Sequence, residues 1–205
     1  MLNAETPRLK FALYGAHSSL GNALLCELLT RQHEAVALVD DFNSMTARPG
    51  LRTKIGGLFD ATSVAEGVAG MDAVICLFDG AALATVPDKG GQPGDIYQAV
   101  DALLTGLPRV DVDRLLLVAD FAALGDQPAV AAAQQRLVAH PLRWTLVDAE
   151  ASGDDLSIED FTDVSDCAPD DRRLQLRRIA AGIVDELESP QHIHQRVHFR
   201  LQAAG

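Results

Sequence analysis

The stretch that decides the fold reads Leu13-Tyr14-Gly15-Ala16-His17-Ser18-Ser19-Leu20-Gly21-Asn22. The apolar run Leu9–Tyr14 leads into this loop and is typical of a buried strand. Leucines then recur at the spacing of one helix face, which predicts an amphipathic helix. They are Leu20, Leu24, Leu25, Leu28 and Leu29. The stretch is therefore a strand–loop–helix junction with a glycine near each end of its loop.

The same alternation of strand and helix signals continues along the chain. The other predicted strands are Ala35–Val39, Ala73–Phe78, Leu115–Val118 and Trp144–Val147. Helices are predicted from the capping-box pair Ser63 and Glu66, the stripe from Ile96 to Leu104, the segment Ala129–Ala139, and the apolar face of Leu176, Ile179, Ile183 and Leu187. Apolar strands that alternate with helices predict a parallel sheet covered on both faces. We expect one doubly wound α/β domain over residues 1–205, which a C-terminal helix and strand over residues 170–201 complete.

The charge balance limits the classes of partner. The 205 residues include 17 Lys or Arg and 29 Asp or Glu, for a formal net charge of −12. Such a charge repels phosphate backbones and anionic membrane surfaces at long range, so we expect no nucleic-acid or membrane partner. A chain of this length can also bury a core without the help of disulfides or a metal.

The cysteines and the lack of targeting signals bear on the compartment. Cys26, Cys76 and Cys167 are scattered, which indicates reduced thiols, and no Cys-x-x-Cys pair suggests zinc. No apolar stretch approaches the roughly 18 residues of a membrane helix. The N-terminal apolar segment is too short for the core of a signal peptide. We therefore expect a cytoplasmic protein.

The loop has the chemistry of a phosphate-binding turn. Gly15 and Gly21 have the spacing of the outer glycines in Gly-x-x-Gly-x-x-Gly, and Ser18 takes the middle position. Glycine lets the backbone approach a pyrophosphate, and the helix N-terminus offers free N–H groups and a partial positive charge. The candidate dinucleotide-binding residues are Gly15, His17, Ser18, Ser19, Leu20 and Gly21. The alternative is a tight turn in which a glycine packs the helix against the sheet.

An acidic residue closes the second predicted strand about 20 residues beyond the loop. At this position a carboxylate binds the adenosine ribose hydroxyls and repels the additional phosphate of NADP. Asp40, together with Asp41, therefore favours NAD(H) over NADP(H). A polar strand end is the equally simple alternative.

Two segments invite other functional interpretations. Acidic residues concentrate between positions 154 and 171. They are Asp154, Asp155, Glu159, Asp160, Asp163, Asp166, Asp170 and Asp171. These carboxylates lack calcium-loop spacing, so we expect a solvated acidic surface and no metal site. The glycine-rich loop Pro87–Gly94 is either a mobile lid or a plain surface loop.

The last segment alternates in character, as a half-buried strand does. Apolar side chains on one face are those of Ile193, Val197, Phe199 and Leu201. The opposite face carries His192, His194, Arg196, His198 and Arg200. Three histidines on one face suggest a metal site, but no carboxylate or cysteine stands beside them at ligand spacing. We therefore predict an edge or surface strand whose cations face the acidic segment or a second subunit.

Several of these stretches match one known family. They are Phe11–Leu29, Gly56–Val68, Gly70–Ile75, Arg114–Val118, Arg143–Val147 and, most specifically, Val184–Arg196. In the last of them a helix runs through Asp-Glu-hydrophobic-Glu and a Pro-x-His turn into the final strand. The sequence thus resembles the atypical short-chain dehydrogenases/reductases, in particular their small NAD(P)H-binding, NAD-dependent-epimerase-like members. The resemblance implies a Rossmann-like fold, and it implies that Gly56–Val68 contains the third strand and a short helix.

The departures from the family pattern bear on function. Ser18 replaces the middle glycine, Asp40 replaces a frequent arginine, and Gly57 stands where relatives place an acid that meets the adenine. The Tyr-x-x-x-Lys pair of many dehydrogenases is missing, because the two tyrosines are Tyr14 and Tyr97 and neither has a lysine four residues later.

The resemblance and its departures together predict a specialised NAD(P)(H)-binding oxidoreductase. We expect it to reduce a small-molecule acceptor such as a quinone or flavin, with no residue assigned to catalysis. The alternative is a non-catalytic regulatory protein that senses a nucleotide or binds a partner through a degenerate site, where cofactor binding is weak or lost. The oligomeric state stays open.

Overall fold

The computed structural model describes residues 8–78, 94–125, 127–149, 156–162 and 171–199. The strands are β1 (Lys10–Tyr14), β2 (Glu34–Val39), β3 (Leu51–Ile55), β4 (Ala73–Phe78), β5 (Arg114–Ala119), β6 (Arg143–Asp148) and β7 (Gln195–His198). The α-helices are α1 (Ser19–Thr30), α2 (Ala61–Val68), α3 (Ile96–Gly106), α4 (Phe121–Leu124), α5 (Pro128–Val138), α6 (Ile158–Thr162) and α7 (Asp171–Glu188). Short 3-10 helices cover Phe42–Ser44 and Leu107–Val110.

These strands form one parallel sheet in the order β3-β2-β1-β4-β5-β6-β7. The chain builds outward from β1 through β2 to β3 and then returns to the other side of β1 with β4. The order therefore reverses between β1 and β4, which is where ligands bind in doubly wound sheets. The predicted Rossmann-like α/β fold is confirmed.

Two apolar layers cover the sheet. One contains Leu25 of α1 and Ile183 of α7 against Leu13 and Ile75 of the sheet. The other contains side chains of α2, α3 and α5, including Val64, Leu103 and Leu137. Because each fully buried aliphatic side chain contributes about 1.5–3 kcal/mol, these two layers hold the strand ends in fixed positions.

The structure corrects two predictions for the region after β2. The helix there is capped by Asp60, whose carboxylate accepts a hydrogen bond from the Ser63 N–H at 3.2 Å. Ser63 is therefore inside α2, and its hydroxyl accepts instead from the Gly57 N–H at 2.9 Å. The third strand is Leu51–Ile55 and ends before Gly56, so Gly56–Val68 contains only the helix. This edge strand has partly exposed, charged side chains, so it does not form an apolar run in the sequence.

The C-terminal helix packs on the sheet, and the C-terminal strand forms one of its edges. The apolar face of α7 is buried, and α7 ends at Glu188, immediately before Ser189 and Pro190. The strand β7 is shorter than the predicted alternation and pairs in parallel with β6 at the edge of the sheet. Most of the acidic segment and all but the last residue of Pro87–Gly94 lie outside the described residues. Across the described helices, none is both long enough and apolar enough to cross a membrane.

Candidate functional site

The loop predicted from the sequence lies at the carboxyl end of β1, beside β4. Gly15 has a φ of +81°, a backbone conformation that side chains with a Cβ rarely adopt. A Cβ at this position would lie 2.8 Å from the Leu77 Cβ and 2.9 Å from the Leu77 carbonyl oxygen. Gly15 is therefore required both by the turn and by its close contact with β4.

The second glycine lets α1 pack directly on the loop. A Cβ at Gly21 would lie 2.3 Å from the Gly15 carbonyl oxygen and 2.9 Å from backbone atoms of Ala16. These contacts are with backbone atoms, which cannot rotate away. The packing role that the sequence suggested for a loop glycine is thus present at both positions, and it brings the N-terminus of α1 to the end of β1.

Ser18 is the N-cap of α1. Its hydroxyl donates to the Gly15 carbonyl oxygen at 2.9 Å and accepts from the Gly21 N–H at 3.0 Å. A serine side chain has only one hydrogen to donate, and here Gly15 receives it. Ser18 therefore shapes the loop and closes the helix end, whereas a direct hydroxyl–phosphate hydrogen bond would require breaking this contact.

The backbone N–H groups of Ser19 and Leu20 remain as the donors of the first turn. Because these groups lie at the start of α1, no carbonyl of the helix accepts a hydrogen bond from them. Both side chains are buried, and the Ser19 hydroxyl accepts from the Leu156 N–H at 3.2 Å. The side chain of His17 is exposed at the loop. The partial positive charge of the helix N-terminus adds to these donors and makes the loop suitable for an anion.

Asn22 is a contributor that our sequence interpretation missed. Its side-chain amide donates to the His17 carbonyl oxygen at 3.3 Å and to the Leu156 carbonyl oxygen at 3.0 Å. It thereby joins the loop to the segment before α6. In the sequence, Asn22 could have been identified as a polar residue within an otherwise apolar helix.

The acidic pair after β2 divides into two roles. Asp41 caps the 3-10 helix Phe42–Ser44, because its carboxylate accepts from the Asn43 N–H at 2.9 Å. Asp40 is exposed at the end of β2, and no described residue forms a hydrogen bond or ion pair with its carboxylate. Of the two, Asp40 is thus the one whose carboxylate is available to a ligand.

The acidic residues at the carboxyl ends of β5 and β6 are engaged within the protein. Asp120 caps α4 through the N–H groups of Ala122 and Ala123, both at 3.0 Å. Asp148 accepts from Arg196 at 2.6 Å and from the Phe121 N–H at 3.2 Å. Burial alone would raise the pKa of Asp148, but these two hydrogen bonds hold it below its ordinary value. Asp148 is therefore a carboxylate anchor between β6 and β7 and a poor proton donor.

Neither tyrosine belongs to a Tyr-x-x-x-Lys pair. The Tyr14 side chain is buried in the layer beside α2, where its hydroxyl has no hydrogen-bond partner among the described residues. Burial, with the neighbouring Cys76 thiol, raises the pKa of Tyr14 far above its ordinary value. Tyr97 lies exposed on α3, and Asp101 follows it one turn later.

The three C-terminal histidines have separate partners. His192 Nδ1 lies 2.8 Å from a Glu186 carboxylate oxygen, and His198 Nδ1 lies 2.8 Å from Asp148. His194 Nε2 lies 2.8 Å from the Leu142 carbonyl oxygen. The described part of the chain contains no group of three or more His, Cys, Asp or Glu that could hold a metal ion. The basic side chains of the edge strand thus meet Glu186, Asp148 and a backbone carbonyl of their own chain, and none of these partners lies in the acidic segment.

The most specific family stretch has a structural function. The buried Glu186 carboxylate accepts from Arg114 and from the His192 N–H, at 2.9 and 3.0 Å. Glu188 lies 2.8 Å from His33, a buried residue next to β2. These contacts fix the turn between α7 and β7 at the amino ends of the strands, opposite the glycine loop.

Solved structures share this fold at low sequence identity. A proposed epimerase from Bacteroides thetaiotaomicron is 20% identical, with a TM-score of 0.64 over 94% of this chain and 96% of its own. A proposed NADH-flavin reductase from Streptococcus pneumoniae is 22% identical, with a TM-score of 0.58 over 93% and 98%. A short-chain dehydrogenase/reductase from Veillonella parvula, solved in complex with NADP, is 10% identical, with a TM-score of 0.63 over 94% of each chain. At these identities the likeness establishes the fold.

The family follows from the sequence itself. No curated protein matches the chain. A family model described as NAD(P)H-binding matches residues 15–190, from the first loop glycine to the turn after α7. The two loop glycines, the open helix N-terminus and the free carboxylate of Asp40 fit a nicotinamide dinucleotide. The chain belongs to the NAD(P)H-binding family.

Proposed function

We propose that the protein is an NAD(P)H-dependent reductase of quinones or flavins that binds NAD(H) more tightly than NADP(H). One observation carries the proposal. Gly15 and Gly21 allow the loop to pack closely against β4 and α1, which places the N-terminus of α1 at the point where the strand order reverses. A small-molecule acceptor is its substrate.

The binding half of the proposal uses backbone donors. The Ser19 and Leu20 N–H groups would hold the pyrophosphate, and Ser18 would keep the loop in shape through its two internal hydrogen bonds. Asp40 would accept from the adenosine ribose hydroxyls. The same carboxylate would repel the 2′-phosphate of NADP, which is the basis for the NAD(H) preference.

The choice of acceptor follows from the missing acid. Bound NAD(P)H supplies a hydride. Reduction of a ketone then requires a proton at the developing alkoxide, and a positioned acid typically contributes about 10²–10⁴-fold to that step. Tyr14 is buried in the layer beside α2, and Tyr97 has no lysine partner in sequence. Quinones and flavins form stabilised anions that take their proton from water, so they tolerate this absence.

Calorimetry followed by steady-state kinetics tests the proposal. We expect NADH to bind, NADPH to bind more weakly, and quinone or flavin to be reduced, while simple ketones are not. Ketone reduction at a comparable rate would overturn the account of the missing acid. Nucleotide binding with no turnover of any acceptor would instead support a nucleotide-dependent partner-binding protein, and no binding at millimolar concentration would refute the cofactor site.

A further inference from the structure

A second concave site lies away from the glycine loop. A cavity of about 410 Å³ opens between α5 and β7, beside the residues that follow β5 and β6. Its wall combines one aromatic ring with amide and charged side chains: Phe121, Gln127, Gln134, Asp148 and Arg196. The strands β5 and β6 stand on the side of β1 opposite β2, so Asp40 and the cavity lie on opposite halves of the sheet.

Arg196 is fixed in this cavity by two contacts. Its Nη2 donates to Asp148 Oδ2 at 2.6 Å, and its guanidinium carbon lies 4.5 Å from the centre of the Phe121 ring. The Arg196 side chain nevertheless keeps 39% of its surface exposed. A guanidinium has five N–H donors, and no described residue accepts from Nε or Nη1 of Arg196.

Asp148 pairs with this positive charge but uses only one of the guanidinium's N–H donors. Its oxygens already accept from Arg196 and from the Phe121 N–H, and His198 Nδ1 lies 2.8 Å away. The carboxylate is thus surrounded by donors of the protein itself. Its effect on the cavity is to orient the guanidinium while leaving other N–H groups of Arg196 free.

The N-terminus of α5 faces the same cavity. Gln127 is its N-cap, no side chain caps the helix end, and Pro128 stands in the first turn. Gln127, Pro128, Val130 and Ala131 all line the cavity, so the positive end of an 11-residue helix points toward it. The amide of Gln134 adds a side chain that can donate.

We propose that this cavity binds the oxyanion, carboxylate or phosphate, of an aromatic acceptor that the enzyme reduces. The free donors of Arg196 and the partial positive charge at the start of α5 supply independent attraction for a negative group. This substrate class rests on the proposed reductase function. It also explains how a chain with a net charge of −12 accepts an anionic substrate, because the attraction is local.

Binding of FMN and riboflavin tests the proposal without any nicotinamide cofactor. The two flavins differ only in the phosphate, and quenching of flavin fluorescence reports their binding. We expect FMN to bind about tenfold more tightly, as a charge-assisted hydrogen bond allows. Arg196→Met and Gln134→Glu should each reduce this ratio toward one, the first by removing the donors and the second by charge repulsion.

Arg143→Met is the matched control. Arg143 begins β6 at the opposite end of the strand and is similarly exposed, at 45%. This variant should keep the FMN preference of the wild-type protein.

A second pair of probes separates the two sources of oxyanion. The probes are 2-amino-3-carboxy-1,4-naphthoquinone and 2-amino-1,4-naphthoquinone, with binding followed by quenching of tryptophan fluorescence. A preference only in the flavin pair assigns a phosphate, and a preference only in the quinone pair assigns a carboxylate. Equal binding within both pairs, no binding of any probe, or a preference that survives both variants overturns the proposal. Failure of NADH to bind would remove the reductase function without changing these ratios.

Discussion

Arg114 and Glu186 form a buried ion pair across 72 residues of sequence, with Arg114 Nη2 2.9 Å from Glu186 Oε1. Arg114 begins β5 and Glu186 lies in the last turn of α7. The same carboxylate accepts from the N–H groups of Gln191 and His192 at 3.2 and 3.0 Å. One side chain therefore joins the start of a central strand, the final helix and the turn into β7.

Loss of this carboxylate's charge should destabilise the fold strongly. Glu186→Gln leaves the Arg114 charge buried without its counter-ion, and breaking such a pair costs about 3–5 kcal/mol. Urea unfolding followed by circular dichroism measures the loss. Glu66→Gln, at an exposed position on α2, should cost less than about 0.5 kcal/mol. Equal stability of the two variants would contradict this role for Glu186.

The same pair predicts a pH dependence. Burial alone would raise the pKa of Glu186, but hydrogen bonds from His192 and Gln191 hold it below its ordinary value. A carboxylate with a lowered folded-state pKa stabilises the fold above its unfolded pKa, about 4.3, and loses that contribution as the pH falls through the folded value. The free energy of unfolding of the wild-type protein should therefore fall more steeply below pH 4.3 than that of Glu186→Gln. Parallel acid profiles would show that this group does not contribute.

Replacement of Ser18 should act first on helix stability. Ser18→Ala removes the N-cap of α1 and should cost about 1 kcal/mol, whereas Ser18→Gly should cost only a few tenths. Chemical denaturation gives both values. If Ser18 only shapes the loop, Ser18→Gly should also keep NADH binding within about twofold. A large loss of NADH affinity at unchanged stability would instead indicate a direct contact between Ser18 and the cofactor.

The closeness of the loop to α1 makes Gly21 sensitive to a single methyl group. Gly21→Ala would place a Cβ 2.3 Å from the Gly15 carbonyl oxygen, so we expect a loss of about 3 kcal/mol or more. Gly70→Ala is the comparison, because no atom lies within 4 Å of its added Cβ and only its positive φ is strained. That strain should cost about 1–2 kcal/mol. A thermal scan in which Gly70→Ala melts at the lower temperature would refute the packing argument.

Cofactor preference should depend on Asp40. We expect wild-type protein to bind NADH more tightly than NADPH by roughly 5–150-fold, which corresponds to about 1–3 kcal/mol of charge repulsion. Asp40→Ser should narrow the ratio and Asp40→Arg should reverse it, as measured by calorimetry. Glu66→Arg makes the same charge change on α2 and should leave the preference in place. A wild-type preference for NADPH would show that Asp40 does not face the ribose.

Much of the fold could be predicted from the chain because its signals are local. The strands β1, β2, β4, β5 and β6 are apolar runs, and each was predicted to within one residue at either end. The edge strand β3 was misplaced into Gly56–Val68 because its exposed, charged residues carry no such signal. The start of α2 was misplaced because Asp60 and Ser63 are both good caps, and only the backbone geometry selects Asp60.

The sequence by itself determined the order of elements, the spacing of Gly15 and Gly21, and the absence of a Tyr-x-x-x-Lys pair. Each of these features depends only on residues that are close together in the chain. Only the tertiary structure decided how the polar side chains are used. It assigned the Ser18 hydroxyl to the helix cap, left Asp40 available, and brought Arg196 to Asp148. The physical reason is that a hydrogen bond or an ion pair depends on distances between atoms, and residues 48 positions apart come within 2.6 Å only when the sheet places β7 beside β6.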